Sequence, residues 1–530
     1  MTKKVFVRKN LPLVSLAIVL ITYLYTIGYF HPYTKNEDGN RGVIKWDVIS
    51  YYSYLPATVI HHDLSLEFIG KQKGFRNDNR FWPSTMKNGN RLIVTSMGLS
   101  FMYAPFFFIA HALAPLLKQP ADGFSNIYQF MLVLGGLFYA FSGLILLMRL
   151  LRRYFDPLVT AITMLCIGLG TNLFFYATVE AAMPHGHNFF LVVGFIYLLR
   201  RWYADPRWFN ALFTGALFGL IVLVRPTNVL FFFILLLYGV KDWKGFGERI
   251  RFYLSRWYLV LLMLLAFLLP WIPQMLYWKS ITGHFLYFSY AEKNASFFWN
   301  APQILNNLFS FRKGWLIYTP VMWFALAGLP FLRSKCREWF LPLLIYLPLM
   351  IYVQSCWWCW WFGGGFGMRP YVSMYPLLAF PLAVFLTRTG ERAVPWLYRS
   401  VLGMLVVLTA YQVFQTRQFT TQAIHYSAAT RASYLENFLK TYPTAASWKM
   451  LEVPDFQLAR KGVYVAYDTS VDKEVWRNMD PSVAEKRLQE GFEADRAVMR
   501  QIGRFSRREG IPPDSAMHVV SARLYERITR

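Results

Sequence analysis

Charged residues are scarce in this chain. Only 16% of its 530 residues are Asp, Glu, Lys or Arg, whereas soluble domains carry about 25%, so too few are available to cover a water-facing surface. Cysteine is rarer still, with 4 in the whole chain, which excludes a disulfide scaffold. No internal repeat, low-complexity tract or heptad array occurs. What is abundant is apolar: 55% of residues are hydrophobic and 19% aromatic. That balance excludes disorder and collagen-like structure and points to an integral membrane protein. The formal charge of +26 raises the question of nucleic acid, but its distribution answers it. Residues 417–530 hold 18 Lys and Arg against 14 Asp and Glu, while residues 1–416 hold 37 against 15. The excess flanks apolar runs, as orientation signals do, and no nucleic-acid partner is expected.

A membrane-crossing helix needs about 20 mainly apolar residues. Candidates are Leu11–Phe30, Ile127–Leu150, Leu158–Thr178, Asn188–Leu199, Phe209–Val224 and Thr227–Val240. Trp257–Trp278, Trp315–Leu332, Trp339–Val353, Tyr371–Thr387 and Trp396–Thr416 complete a set of about eleven. Leu11–Phe30 is too long for a signal-peptide core and lacks a small-x-small cleavage site, so it is read as an anchor. A further stretch, Leu92–Leu117, is interrupted by Pro105 and Pro115. With Lys3, Lys4, Arg8 and Lys9 inside and Leu92–Leu117 not crossing fully, 21 basic residues fall in the N-terminus and inner loops. The outer connections then hold 7, with 9 more in His31–Arg91. The positive-inside rule favours this arrangement, with Leu92–Leu117 re-entrant or along the outer surface. The expected fold is therefore an all-α polytopic membrane domain over 1–416, with a first outer loop at 31–91. A small, mainly helical outer domain follows over 417–530, with a helix expected over Ser482–Phe505, a break at Pro512-Pro513 and a last helix from Asp514.

Acids are few before residue 417, and six lie in the first outer loop: Glu37, Asp38, Asp47, Asp63, Glu67 and Asp78. Asp47 sits among aromatics in Lys45-Trp46-Asp47-Val48-Ile49-Ser50-Tyr51-Tyr52 and suits a proton acceptor; a solvated cap for a helix starting near Val48 is the plainer reading. Glu180…His185-Gly186-His187 offers an acid and two imidazoles as hydrogen-bonding groups for an anion or sugar, as zinc ligands, or as a structural turn. Arg225, between two spans, must pair or meet water, unless it snorkels. Arg312, Lys313 and Arg369 sit on the outer side against the charge trend. Before Arg369 come Trp357-Trp358-Cys359-Trp360-Trp361 and Gly363–Gly367, either an interface belt or an irregular backbone close to a ligand. Cys356 and Cys359 lack a thioredoxin-like context.

At these residues the chain resembles the GT-C superfamily of integral-membrane glycosyltransferases, in particular bacterial relatives of protein O-mannosyltransferases and the lipid A aminoarabinose transferase. The resemblance is carried by Lys45-Trp46-Asp47…Tyr51-Tyr52, His61-His62-Asp63-Leu64, Glu180…His185-Gly186-His187 and Val224-Arg225-Pro226-Thr227-Asn228. Phe311-Arg312-Lys313-Gly314 leading to Tyr318-Thr319-Pro320, and Gly363–Gly367 leading to Met368-Arg369-Pro370, complete it. It implies inverting transfer of a sugar from a polyprenyl-phosphate donor to an extracytoplasmic envelope glycan, lipid or protein. It implies Asp47 as general base, with Arg369, Lys313, Arg225 and His185 on the donor phosphate. Tyr51, Asp63, Glu180, His187 and Trp361 are implied as substrate-binding. The family's paired acids are absent, since Asp47 lies between Trp46 and Val48; no cofactor is firmly implied and a divalent metal stays open. The implied setting is a bacterial inner membrane, N-terminus cytoplasmic and C-terminus outside, among membrane lipids. The competing class is a transporter or flippase of a lipid-linked glycan, which would carry repeated halves and midplane charges; a structural subunit acting through its outer tail is a third.

Overall fold

The computed structural model describes residues 3–33, 42–70, 81, 83–86 and 88–529, without the side chains of residues 3–8 and 70. Glu37, Asp38 and Asp78 of the first loop lie outside the described residues, as do the side chains of Lys3, Lys4 and Arg8. The chain is mostly helical, and the described strands are short: Ser84–Thr85 pairs with Arg91–Leu92, and Glu452–Pro454 with Ala466–Asp468. It divides into two compact units. The first comprises Met1–Lys293, Pro320–Met350 and Pro370–Gln412; the second comprises Asn294–Thr319, Ile351–Arg369 and Val413–Arg530. Whereas the sequence suggested a division at 416/417, the second unit also takes in two segments from among the expected spans and outer connections.

Among the described residues, six helices are long and apolar enough to cross a membrane, or seven if Trp243–Ser255 and Trp257–Leu268, which meet at 80°, are one broken span. The expected eleven include shorter pieces. Leu158–Thr178 stops at Gly168 and restarts at Leu173, and Trp257–Trp278 breaks between Leu268 and Trp271.

In the first unit, α1 (Lys3–Phe30), α2 (Asp47–Tyr52), α3 (Gly98–Leu116), α4 (Asn126–Leu151), α5 (Pro157–Gly168), α6 (Pro184–Ala204) and α7 (Trp208–Val224) position the polar residues. Asp156 caps α5 by accepting from the Leu158 and Val159 amides, with Pro157 at the first helical position. Helices α1 and α4 run antiparallel. Val19 and Leu144 meet across Gly168, and the Tyr33 and Phe130 rings meet at 5.3 Å, an equal number of residues further along α1 and back along α4. The end of α1 and the start of α4 therefore lie together, and Gln129 Oε1 accepts from the Val43 and Ile44 amides there.

The stretch expected to be broken at Pro105 and Pro115 is instead one unbroken helix, α3. Pro115 falls in its last turn, and Pro105 removes a single amide bond that packing against neighbours offsets. Helix α3 runs back along the first half of α4: Phe106 packs near Gly135, Phe138 and Tyr139, and His111 Nδ1 bonds Tyr128 Oη at 2.6 Å. Its start lies against the end of α7, where a Cβ on Gly98 would stand 2.5 Å from the Val224 amide nitrogen. Likewise a Cβ on Gly136 would stand 1.9 Å from the Ala181 carbonyl oxygen, so only glycine lets α4 approach the turn before α6.

The second unit closes on α8 (Pro481–Ala494), α9 (Arg496–Glu509) and α10 (Pro513–Thr529). Their core gathers Leu458, Val463, Phe492, Ile502, Phe505 and Leu524. The single helix expected over Ser482–Phe505 is two, because Asp495 turns from chain to cap. Its Oδ1 accepts from the Ala497 and Val498 amides at 2.7 and 3.2 Å and starts α9 afresh.

Candidate functional site

The end of α7 is where the membrane helices open. Arg225 leaves α7 in extended conformation (φ −148°, ψ 107°) and precedes the short 3-10 turn Pro226–Leu230. Proline at the first position of that turn fixes the break. Arg225 Nη1 donates to His185 Nδ1 at 3.0 Å. A guanidinium never accepts, so His185 is neutral on Nδ1 and carries its hydrogen on Nε2. The two are held in register by a buried amide pair. Asn228 Nδ2 donates to Asn188 Oδ1 at 3.1 Å and to the Ile221 carbonyl at 3.2 Å, while the Asn228 amide donates to the Arg225 carbonyl at 2.8 Å. Asn188 lies one turn along α6 from His185, so the pair ties the start of α6 to the end of α7.

His187 is the opposite tautomer. Its Nδ1 lies 3.1 Å from the Met183 carbonyl oxygen, which can only accept, so Nδ1 holds the hydrogen and Nε2 is left as an acceptor. Tyr103 packs edge-on against its ring at 5.4 Å and Tyr139 lies at 5.2 Å; Tyr176 covers His185 at 4.4 Å.

Tyr103 joins these groups to the first loop. Its hydroxyl donates to the Ala182 carbonyl, inside the turn that holds Glu180 and leads into α6, whose first turn carries His185 and His187. Its phenol also lies within electrostatic reach of Asp47 and Tyr51. One turn earlier on α3, Ser100 Oγ donates to the Tyr51 carbonyl, and Ser96 Oγ donates to the Leu223 carbonyl at the end of α7. The structure therefore brings Asp47, Tyr51, the turn holding Glu180, His185 and His187, and Arg225 around the first half of α3. Asp47 is the first helical residue of α2 rather than its cap; Trp46 stands at the cap with φ 53° and no side-chain capping bond.

Asp63 is not part of this group. Its Oδ1 accepts from the Ser65 amide and hydroxyl, and its Oδ2 from the Phe68 amide at 3.1 Å. Burial would raise its pKa, but the Ser65 hydroxyl and the Phe68, Glu67 and Ser65 amides outweigh it and hold the carboxyl below its usual range. Both oxygens serve a local turn.

In the second unit, the Gly363–Gly367 segment is gripped from within. Lys313, 1% exposed, donates from Nζ to the Gly365 carbonyl and lies 5.1 Å from the Phe419 ring centre. Arg369, half-buried, faces the Cys359 thiol electrostatically with Lys313. Burial pushes that thiol up to about 12, which keeps it protonated and unreactive. Arg312 donates to the Glu452 carbonyl at 3.0 Å and lies over Trp361 at 5.7 Å. Trp361, expected to stack on substrate, is 1% exposed, with Phe456 at 5.4 Å, Trp360 at 5.6 Å and Tyr464 at 6.3 Å. Its faces are covered by protein, so it packs within this unit. His425 Nδ1 accepts from the Ser427 and Ala428 amides at 3.2 and 2.9 Å. Burial, then the charges of Lys313 and Arg312, lower its pKa to about 4.

Among the described residues no group of three His, Cys, Asp or Glu side chains is placed to hold a metal ion. The pair His185 and His187 presents one hydrogen-bond donor and one acceptor rather than two matched ligands.

Sequence reasoning assigned no role to Tyr103 or Asn188, and named Asn228 only within a motif. Tyr103 lies in an apolar, proline-bearing run and counted there as one more aromatic. The two asparagines lie inside expected spans, where a buried amide is itself a signal.

No protein-family model matches the chain, and no curated protein matches it. Among solved structures it is similar to the oligosaccharyltransferase of Archaeoglobus fulgidus in its apo form, at 12% identity and a TM-score of 0.41. That similarity covers 82% of this chain and 60% of the archaeal one, so the chain spans less than two thirds of that enzyme's length. The functional reading below rests on the site itself.

Proposed function

We propose that the protein is a membrane glycosyltransferase of the GT-C kind, moving a sugar from a polyprenyl-phosphate donor to an extracytoplasmic acceptor with inversion. The observation that carries this reading is that Tyr103 links Asp47 to the Ala182 carbonyl and the His187 ring, two residues along the chain from the His185 that Arg225 holds. In the proposed step, Asp47 takes the proton from the acceptor hydroxyl as general base. The acceptor oxygen bonds to the anomeric carbon through an oxocarbenium-like transition state. The bond from that carbon to the phosphate oxygen breaks, and the phosphate leaves with the electron pair. Negative charge grows there, and Arg225 with the His185 Nε2 hydrogen stabilises it. Glu180, Tyr51 and His187 line the sugar, with His187 Nε2 accepting from a hydroxyl. For Lys313 and Arg369 the contacts favour holding the Gly363–Gly367 loop and its neighbouring thiol. No step is routed through a metal.

Connectivity supports one parity of the first crossings. Helices α1 and α4 each have the length and apolarity to cross, and the end of one lies beside the start of the other. The chain between them must return to the side it left, so α3 does not add a complete crossing and is proposed as re-entrant from the outer face. We place the N-terminus in the cytoplasm of a bacterial inner membrane and the C-terminal unit outside, as the basic residues favour.

The test is transfer in proteoliposomes from a radiolabelled polyprenyl-phosphate hexose. Asp47→Asn should reduce turnover by about a hundredfold or more with expression and melting unchanged, while Asp63→Asn retains turnover in whatever fraction folds. Normal turnover in Asp47→Asn removes the base.

A further inference from the structure

Helix α9 carries Arg496, Arg500, Arg504, Arg507 and Arg508 along one side, with Ile502 and Phe505 on the other side buried in the core of the second unit. Arginines four apart lie about 6 Å from each other along the axis, and like charges at that spacing weaken a helix. The two acids at its ends are already engaged: Asp495 caps α9, and Glu509 pairs with Arg508 at 3.2 Å. Among the described residues no carboxylate pairs with Arg496, Arg500, Arg504 or Arg507. Other acids of this unit do find cations, as Asp455 does with Arg523 at 3.4 Å and Arg527 at 3.7 Å. Burial and the charges of Arg500 and Arg507 push the Arg504 guanidinium below its usual range. An uncompensated row of this kind costs stability unless an anion completes it.

The row borders two cavities. One, of about 410 Å³, is lined by Met499, Arg500, Gly503, Arg504 and Arg507, and a Cβ on Gly503 would meet nothing within 4 Å. The second, of about 290 Å³, shares Arg500 and Arg504 and is walled opposite by Asn300–Gln303. That wall is fixed in place: the Ala301 amide donates to the Phe298 carbonyl at 3.0 Å, and the Gln303 amide to the Ser355 carbonyl at 2.8 Å. Guanidinium forks on one side and the amide side chains of Asn300 and Gln303 on the other suit acidic groups and hydroxyls together. A helix that rests on a membrane pairs its basic face with apolar residues turned outward, whereas the larger apolar residues of α9 pack toward the core.

We propose that the groove between α9 and Asn300–Gln303 binds an anionic saccharide, one bearing carboxylate or phosphate groups. Its part as the acceptor of the transfer reaction rests on the reading above; the binding does not, so the experiment reads binding alone. Full-length protein in phosphatidylcholine nanodiscs is titrated with oligogalacturonate and with a neutral maltooligosaccharide of equal length. The acidic sugar should bind, more weakly as salt rises, and the neutral one should not. Arg500→Gln/Arg504→Gln should lose about a hundredfold in affinity while melting, without ligand, no lower than the parent protein. Arg500→Gln alone, at an exposed position, should lose about tenfold, and Lys486→Gln, an exposed cation on α8, should lose nothing. Equal binding of both sugars, an equal loss in Lys486→Gln, or full affinity in the double variant overturns the proposal. So does a double variant that keeps sugar binding but no longer joins vesicles of phosphatidylglycerol in phosphatidylcholine, which would make the row a membrane contact.

Discussion

His425 and Tyr103 show how single side chains carry the arrangement. His425 is held neutral by two backbone amides at Nδ1 beside Lys313 and Arg312. Its folded pKa of about 4 lies below an unfolded value of about 6.5, so between those values the unfolded chain binds the extra proton. Stability of the second unit should therefore fall as pH drops through that window. Thermal melts across it should show a slope that His425→Gln flattens; an unchanged slope would assign it to other groups. For Tyr103, loss of the hydroxyl in Tyr103→Phe leaves the Ala182 carbonyl short of its donor. The expected cost is about 1 kcal/mol in stability, read by denaturant titration, together with lower turnover because the turn that carries His185 loosens. Much at this scale was legible: Asp47, Glu180, His185, His187 and Arg225 stood out because ionisable groups are rare beside apolar spans. Asp63 and Trp361 mark a limit, because acids and tryptophans look alike in sequence whether they meet a ligand or the chain itself. Asp63-Leu64-Ser65 is in fact a turn sequence, a signal that outweighed its neighbours His61 and His62.

At the scale of elements, close backbone approach sets the geometry. Gly98 and Gly136 admit the end of α7 and the Ala181 carbonyl where a Cβ would stand at 2.5 and 1.9 Å. Gly98→Ala or Gly136→Ala should each cost about 1–3 kcal/mol through overpacking, measurable as a lowered melting temperature in detergent, with turnover falling in parallel. A melting curve unchanged by Gly136→Ala would contradict the packing described. The mostly helical, apolar character was legible from hydropathy, but the breaks in the helices were not, because a helix that stops inside an apolar run keeps an apolar composition. The same limit hid α3: its prolines read as interruptions, while tertiary packing carries the helix through them. Asp495 divided one expected helix into two because a capping acid and a surface acid are indistinguishable until the backbone turns.

For the whole molecule, the proposed orientation rests on charge distribution. Single cysteines in a chain whose four native cysteines are replaced should show His31 and Lys118 labelled by a membrane-impermeant thiol reagent from outside, and Arg153 only after permeabilisation. Labelling of Lys118 from the opposite side to His31 would make α3 a full crossing and undo the parity of α1 and α4.

The central claim is that donor phosphate meets Arg225 and His185 beside Asp47. A cryo-electron microscopy map of the full-length protein with a polyprenyl phosphate bound tests it most directly. The account predicts phosphate density within hydrogen-bonding reach of the Arg225 guanidinium and His185 Nε2; density seated away from both contradicts it.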